Sequence, residues 1–174
     1  MSEFFLRTMR LGFRHWTDAD FPLAWALWGE PEATRLIGGP FAEAEVQARL
    51  GREIAQQRDS GVQYWPVFLT QGGGFAGCCG LRPYAAPGRV YELGFHLHRN
   101  AWGQGLATEA AHAAIVHAFA NLGATALFAG HHPENTASSN VLAKLGFRYE
   151  RHELYPPTGL EHPSYFLRPE DGAR

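Results

Sequence analysis

Cysteine is scarce: the chain has two, and they are neighbours, Cys78 and Cys79. Adjacent strand residues point to opposite faces, so they make a poor disulfide pair. They read as small buried residues, and neither is placed to carry an acyl group. An excess of one charge is also missing. The formal net charge is −2, and no basic stripe interleaves with aromatics, which removes the electrostatic case for a nucleic-acid partner. No apolar run is long enough to cross a bilayer. The opening MSEFFLRTMRLGF lacks a basic-then-apolar signal, so a cytoplasmic protein without a membrane partner is expected. There is no internal repeat, linker or low-complexity segment, and a single domain over 1–174 is expected. The dinucleotide fingerprint G-x-G-x-x-G and the phosphate-loop G-K-[ST] are both absent. The 9 histidines are scattered. A set of His96, His98, His131 and His132 has no diagnostic ligand spacing, and no metal is expected.

What is present is a regular change of period. Leu11 to His15 alternates as a strand. Thr17-Asp18 starts a helix through FPLAWALWGE, which Pro31 interrupts, and IGGPF (Ile37 to Phe41) is a loop. AEAEVQARLGREIAQQRDSG is a second amphipathic helix, with its charges expected on the outer face. YWPVFL, FAGCCGL and VYELGFHLH are strands. A long helix, ATEAAHAAIVHAFANLG, leads to the strand ALFAGHH. PENTASSNVLAKLGF holds a last helix whose exit, Gly146, suits a left-handed position, and Phe147 begins another strand. SYFLRP closes the series. This order predicts an α/β (α+β) domain with one mixed central sheet of about six to seven strands flanked by four helices.

Gly103 and Gly105 lie in RNAWGQGLATEA, where a strand turns into the long helix. The first amides of a helix lack intrahelical partners, and its dipole favours an anion there. Glycine lets the main chain come close to a phosphate. The amides from Gly103 to Thr108 are therefore a candidate cradle, with Ala107 keeping the turn narrow. Alone, the same pattern reads better as a tight turn packing helix against sheet.

Three features taken together narrow this reading: the pairing ELGFHLH…WGQGLATEA, the order strand–turn–helix–strand–helix, and ENTASSNVLAKLGF. In combination they resemble the GNAT superfamily of acetyl-CoA-dependent N-acetyltransferases, in particular its RimJ/RimL-like branch. The resemblance is densest from Val90 to Glu150. The family's loop Q/R-x-x-G-x-G/A maps onto Trp102, Gly103, Gln104, Gly105, Leu106 and Ala107, followed by Thr108. Trp102 stands where a polar residue is usual, which leaves the phosphate to the backbone. The resemblance implies acetyl-CoA as co-substrate. Leu97 would be a backbone donor to the cofactor and its thioester oxygen, Asn135 would bond the pantetheine arm, and Ser138 would lie near the sulfur. Asn135 is equally a helix cap.

Acetyl transfer needs a neutral amine, and lysine-like amines have a pKa of about 10.4, so a base is required. Glu92 is the first candidate. Alternation puts Glu92, Gly94, His96 and His98 on one strand face, so His96 and His98 are rival bases. Relatives carry a tyrosine as acid for the leaving thiolate where this chain has Leu142. Ser138 takes that place here, with Tyr155, Tyr165 and water as alternatives. On the acceptor side, Trp25, Trp28, Phe41, Tyr155 and His162 are expected to line the site with Glu92 and His96. That lining names no substrate: the acceptor is a primary amine, on a protein N-terminus or a small molecule. A monomer or homodimer fits equally. A non-catalytic coenzyme-A-binding sensor is the alternative of another class.

Overall fold

The strand-like runs pair into one sheet in a computed structural model that describes residues 3–84 and 87–172. Its strands are β1 (Leu6–Arg7), β2 (Leu11–Phe13), β3 (Tyr64–Leu69), β4 (Phe75–Pro83), β5 (Val90–Leu97), β6 (Ala126–Gly130), β7 (Arg148–Tyr155) and β8 (Leu160–Leu167). They lie in the order β1-β2-β3-β4-β5-β6-β8-β7. The sheet is one strand larger than expected because the N-terminus folds back: Leu6 pairs with Phe13 and Arg7 with Gly12. The helices are α1 (Phe21–Trp28), α2 (Pro31–Thr34), α3 (Glu43–Ser60), α4 (Leu106–Asn121) and α5 (Thr136–Lys144). The extra one, α2, starts at the proline expected only to end α1, because proline suits a first helical position. No helix among the described residues is long and apolar enough to cross a membrane.

The sheet is covered on both faces. Leu106, Ala110, Ala111, Ala114 and Ala118 turn inward from α4 and pack with Val67, Cys79, Leu81 and Leu127. Helices α1 and α3 cover the other face through Leu27, Trp28, Val46 and Leu50, which pack with Tyr64 and Cys78. Cys78 and Cys79 thus lie in different cores, as strand alternation requires. Helix α3 departs from expectation. Its buried stripe of Val46 and Leu50 continues to Glu53, and Arg49 shares that side, so not all its charges face out.

One feature of the ladder positions the site. Strand β5 pairs with β4 along its whole length, from Tyr91 opposite Pro83 to Leu97 opposite Gly77. It pairs with β6, in parallel, only at Val90 to Glu92. Beyond Glu92 the two strands part and leave a gap at the carboxyl ends of the only parallel pair among the described residues. Such ends are where open α/β sheets place ligands.

Leu127 is fully buried in the middle of β6, so Leu127→Ala should lower unfolding free energy by about 2–5 kcal/mol. Urea denaturation reads this directly. A loss within error would mean that β6 is not packed as described.

Candidate active site

The gap leads into a cleft of about 570 Å³, walled by Leu97, Trp102, Gly103, Gly105, Leu106, Ala107 and Thr108 on one side and by Asn135 to Ser138 on the other. Gly103 and Gly105 have φ of 71° and 74°, left-handed values that other residues rarely adopt. Gly105 is the N-cap of α4 and contributes no side-chain bond to its first turn. A Cβ built on Gly103 would meet no protein atom within 4 Å. The turn is thus an open cradle of main chain at a helix N-terminus, which fits a diphosphate. Its flanking side chains are tied to the scaffold. Trp102 Nε1 donates to Leu97 O (2.9 Å), and Gln104 Nε2 donates to Asn100 O (2.9 Å). Gln104, expected at the cofactor, does not wall the cleft with its neighbours. Arg10 fixes the turn from behind, donating to Gln104 O (2.9 Å) and pairing with Glu109 (2.6 Å) in the first turn of α4.

His98 N donates back to Ala76 O (2.8 Å), so the preceding amide, on Leu97, faces the gap. Across the cleft, Asn135 Oδ1 accepts from Ser138 N (3.0 Å): the side chain caps α5. Ser138 lines both this cleft and a smaller cavity of about 270 Å³. Phe95, His96 and Asn135 are also common walls, so the two spaces meet there.

Glu92 lines the smaller cavity, and its Oε1 accepts from the Tyr64 hydroxyl (3.1 Å). Burial raises its pKa above the ordinary glutamate value, against opposing pulls from Arg82, the Tyr64 bond and Arg49. His96 lines the same cavity, but Trp28 Nε1 donates to its Nδ1 (3.3 Å). Nδ1 is therefore the acceptor and Nε2 carries the proton. Burial, then the positive charges of Arg49 and Arg82, hold the His96 pKa well below its usual value. Cys78 Sγ lies 3.9 Å from His96 Nδ1. Burial pushes that thiol up to about 12, and it stays protonated.

The expected acceptor lining is only partly present. Tyr155 and His162 line the cavity, their rings 4.7 Å apart. Trp28 does not: it is fully buried behind His96, in the core between α1 and α3. Phe41 packs against that same core, away from both spaces. Trp25 is largely on the surface. His98 lies just past the end of β5, accepts from Asn100 N (3.5 Å) as cap of a short 3-10 turn and walls neither space, which removes it from the rival bases. Leu142, where the resemblance implies a tyrosine in other members, is buried against the cavity, and Tyr165 is engaged with His131 (3.2 Å). Among the described residues no group of three or more His, Cys, Asp and Glu side chains is arranged to hold a metal. Arg49, Tyr64 and Arg82 wall the cavity without having been anticipated. The signal existed for Arg49, which falls at i+3 on the stripe that starts at Val46.

Residues 10–148 match the family described as "Acetyltransferase (GNAT) domain". The N-acetyltransferase p20 of Bacillus licheniformis is 28% identical over 147 residues, covering 83% of each chain. An acetyltransferase structure from Agrobacterium tumefaciens superposes with a TM-score of 0.80 at 27% identity, covering 94% of this chain and 93% of that one. RimL, a ribosomal L7/L12 α-N-protein acetyltransferase solved with coenzyme A, shares the fold: TM-score 0.77, 16% identity, 95% and 98% covered.

Trp28→Phe keeps an aromatic side chain but removes the donor that favours neutral His96. The His96 pKa should therefore rise, as followed by NMR titration of its ring. An unchanged titration would show that the bond does not set its state.

Proposed function

The chain belongs to the GNAT acetyltransferase family, and from that premise we propose that it moves the acetyl group of acetyl-CoA to a primary amine by direct transfer. The observation that carries the reading is the meeting of the two spaces at His96 and Ser138. The glycine cradle lies in one space and a raised-pKa carboxylate in the other. Acetyl-CoA, when bound, supplies an activated thioester. The residues that would hold it are the turn from Trp102 to Thr108, through its amides, with Leu97, Asn135 and Ser138.

Glu92 is the base. An acceptor amine arrives protonated near neutral pH, and a carboxylate whose pKa has moved towards neutrality accepts that proton better than an ordinary one. Tyr64 holds one oxygen of Glu92 and leaves the other for the amine. His96 is the weaker rival, because its acceptor nitrogen is occupied by Trp28 and its pKa is depressed. The Leu97 amide is aimed into the gap as an oxyanion donor, a role that needs no side chain. Ser138 Oγ passes a proton to the leaving sulfur and is reprotonated by water in the cleft, since Leu142 has none to give. The buried, protonated Cys78 argues against an acyl-enzyme.

Glu92→Gln should lower turnover by about tenfold or more near neutral pH, since general-base catalysis contributes roughly a hundred- to ten-thousand-fold. The deficit should shrink as pH rises, because more acceptor is then neutral, and acetyl-CoA affinity should hold. A wild-type pH–rate profile would end the assignment, and the same loss in His96→Gln alone would transfer it. Gly103→Asn tolerates a left-handed φ but fills the cradle. Coenzyme A affinity should fall about tenfold or more in calorimetry with the fold intact. Unchanged affinity would place the diphosphate elsewhere.

A further inference from the structure

Arg49 has no part in the chemistry above, yet it sits in the acceptor cavity. It lies in the second turn of α3, with its guanidinium 4.3 Å over the Trp28 ring. Among the described residues its buried Nε has no hydrogen-bond partner. Among the described residues no carboxylate lies within ion-pairing distance of its nitrogens. The nearby acids are engaged. Glu53 accepts from Arg82 and from the Tyr64 amide (2.9 Å), and Glu92 accepts from the Tyr64 hydroxyl. Burial, then the like charge of Arg82, lower the Arg49 pKa, but a guanidinium keeps its proton in proteins. A cation in such a place is costly unless something anionic completes it.

We propose that the acceptor completes it: Arg49 receives a carboxylate or like oxyanion of the substrate, which is a small amine carrying its own negative charge, such as an amino acid. This rests on the acetyl-transfer reading. A guanidinium presents parallel N–H donors that match a carboxylate, and the pairing is among the stronger hydrogen-bonded contacts. Glu92 and Arg49 wall the same cavity, so a zwitterion finds a partner for each charge. At about 270 Å³ the cavity lies below the roughly 300–1,000 Å³ typical of drug-sized ligands, which suits a compact acceptor. A polyamine, all cation, would leave Arg49 repelling it.

The test is a thiol-release assay with acetyl-CoA and matched pairs: each amino acid with its carboxamide and its decarboxylated amine, together with short peptides. The carboxylate member of the productive pair should have a kcat/KM about ten- to a hundredfold higher. Arg49→Met, which keeps an unbranched apolar stem but no charge, should abolish that preference by raising KM for the carboxylate member alone. Arg49→Lys should restore part of it. Equal use of all members, preference for uncharged amines or peptides, or an Arg49→Met loss shared equally within each pair would overturn the proposal. If no amine is acetylated, the acetyl-transfer reading fails separately, and thermal shifts of the coenzyme-A-loaded protein with the same pairs decide this one. Stabilisation by carboxylate members only, lost in Arg49→Met, supports it, and no difference within pairs overturns it.

Discussion

Strands β5 and β6 hold each other from Val90 to Glu92 and then separate, and the site depends on that separation. A strand in mid-sheet normally spends all its amides on neighbours. Here β4 continues to hold one edge of β5 as far as Leu97, so the other edge stays extended with its amides unspent. The strand is rigid because of β4 and available because of β6. The helix starts of α4 and α5 are carried to the same opening, since each follows its strand by a short connection. Unfilled main-chain donors therefore converge from β5 and α4 without any unusual side chain.

The opposite side of the gap is electrostatic. Arg49 and Glu53 come from one face of α3, Arg82 from β4, Tyr64 from β3, and Glu92 and His96 from β5. Burial makes each group sensitive to the others. It lifts the Glu92 carboxyl and suppresses the His96 imidazolium, so the two candidate bases shift in opposite directions. Trp28 reinforces the difference by occupying His96 Nδ1. Glu53 and Arg82 neutralise one another, and Tyr64 ties that pair to Glu92 through its amide and hydroxyl. Arg49 alone of these has no hydrogen-bonding or ion-pair partner among the described residues, only the Trp28 ring beneath it.

What the sequence made legible was local. Gly103 and Gly105 stand out because a strand-to-helix turn with positive φ has few other solutions, and Cys78 and Cys79 because adjacent strand residues must diverge. Trp28 and Phe41 were misplaced because an aromatic on an amphipathic helix or loop announces burial, not the side on which it is buried. His98 shares alternation with His96, but the strand stops at Leu97, and a one-residue difference in an end changes a wall residue into a cap. The hairpin at Leu6–Arg7 is too short to carry a period. Arg49 and Glu53 were legible in principle, since Val46, Arg49, Leu50 and Glu53 follow helical spacing. The expectation that charge faces water hid them.

The central claim is that the gap beside β5 and the turn before α4 form one continuous cofactor seat. Titrating coenzyme A into nitrogen-labelled protein and following the amide resonances tests it most directly. Saturable shifts are expected, largest at Leu97, at Gly103 through Thr108 and at Ser138, with β1 and β2 nearly unmoved. Shifts centred away from those amides, or no saturable change, would contradict it.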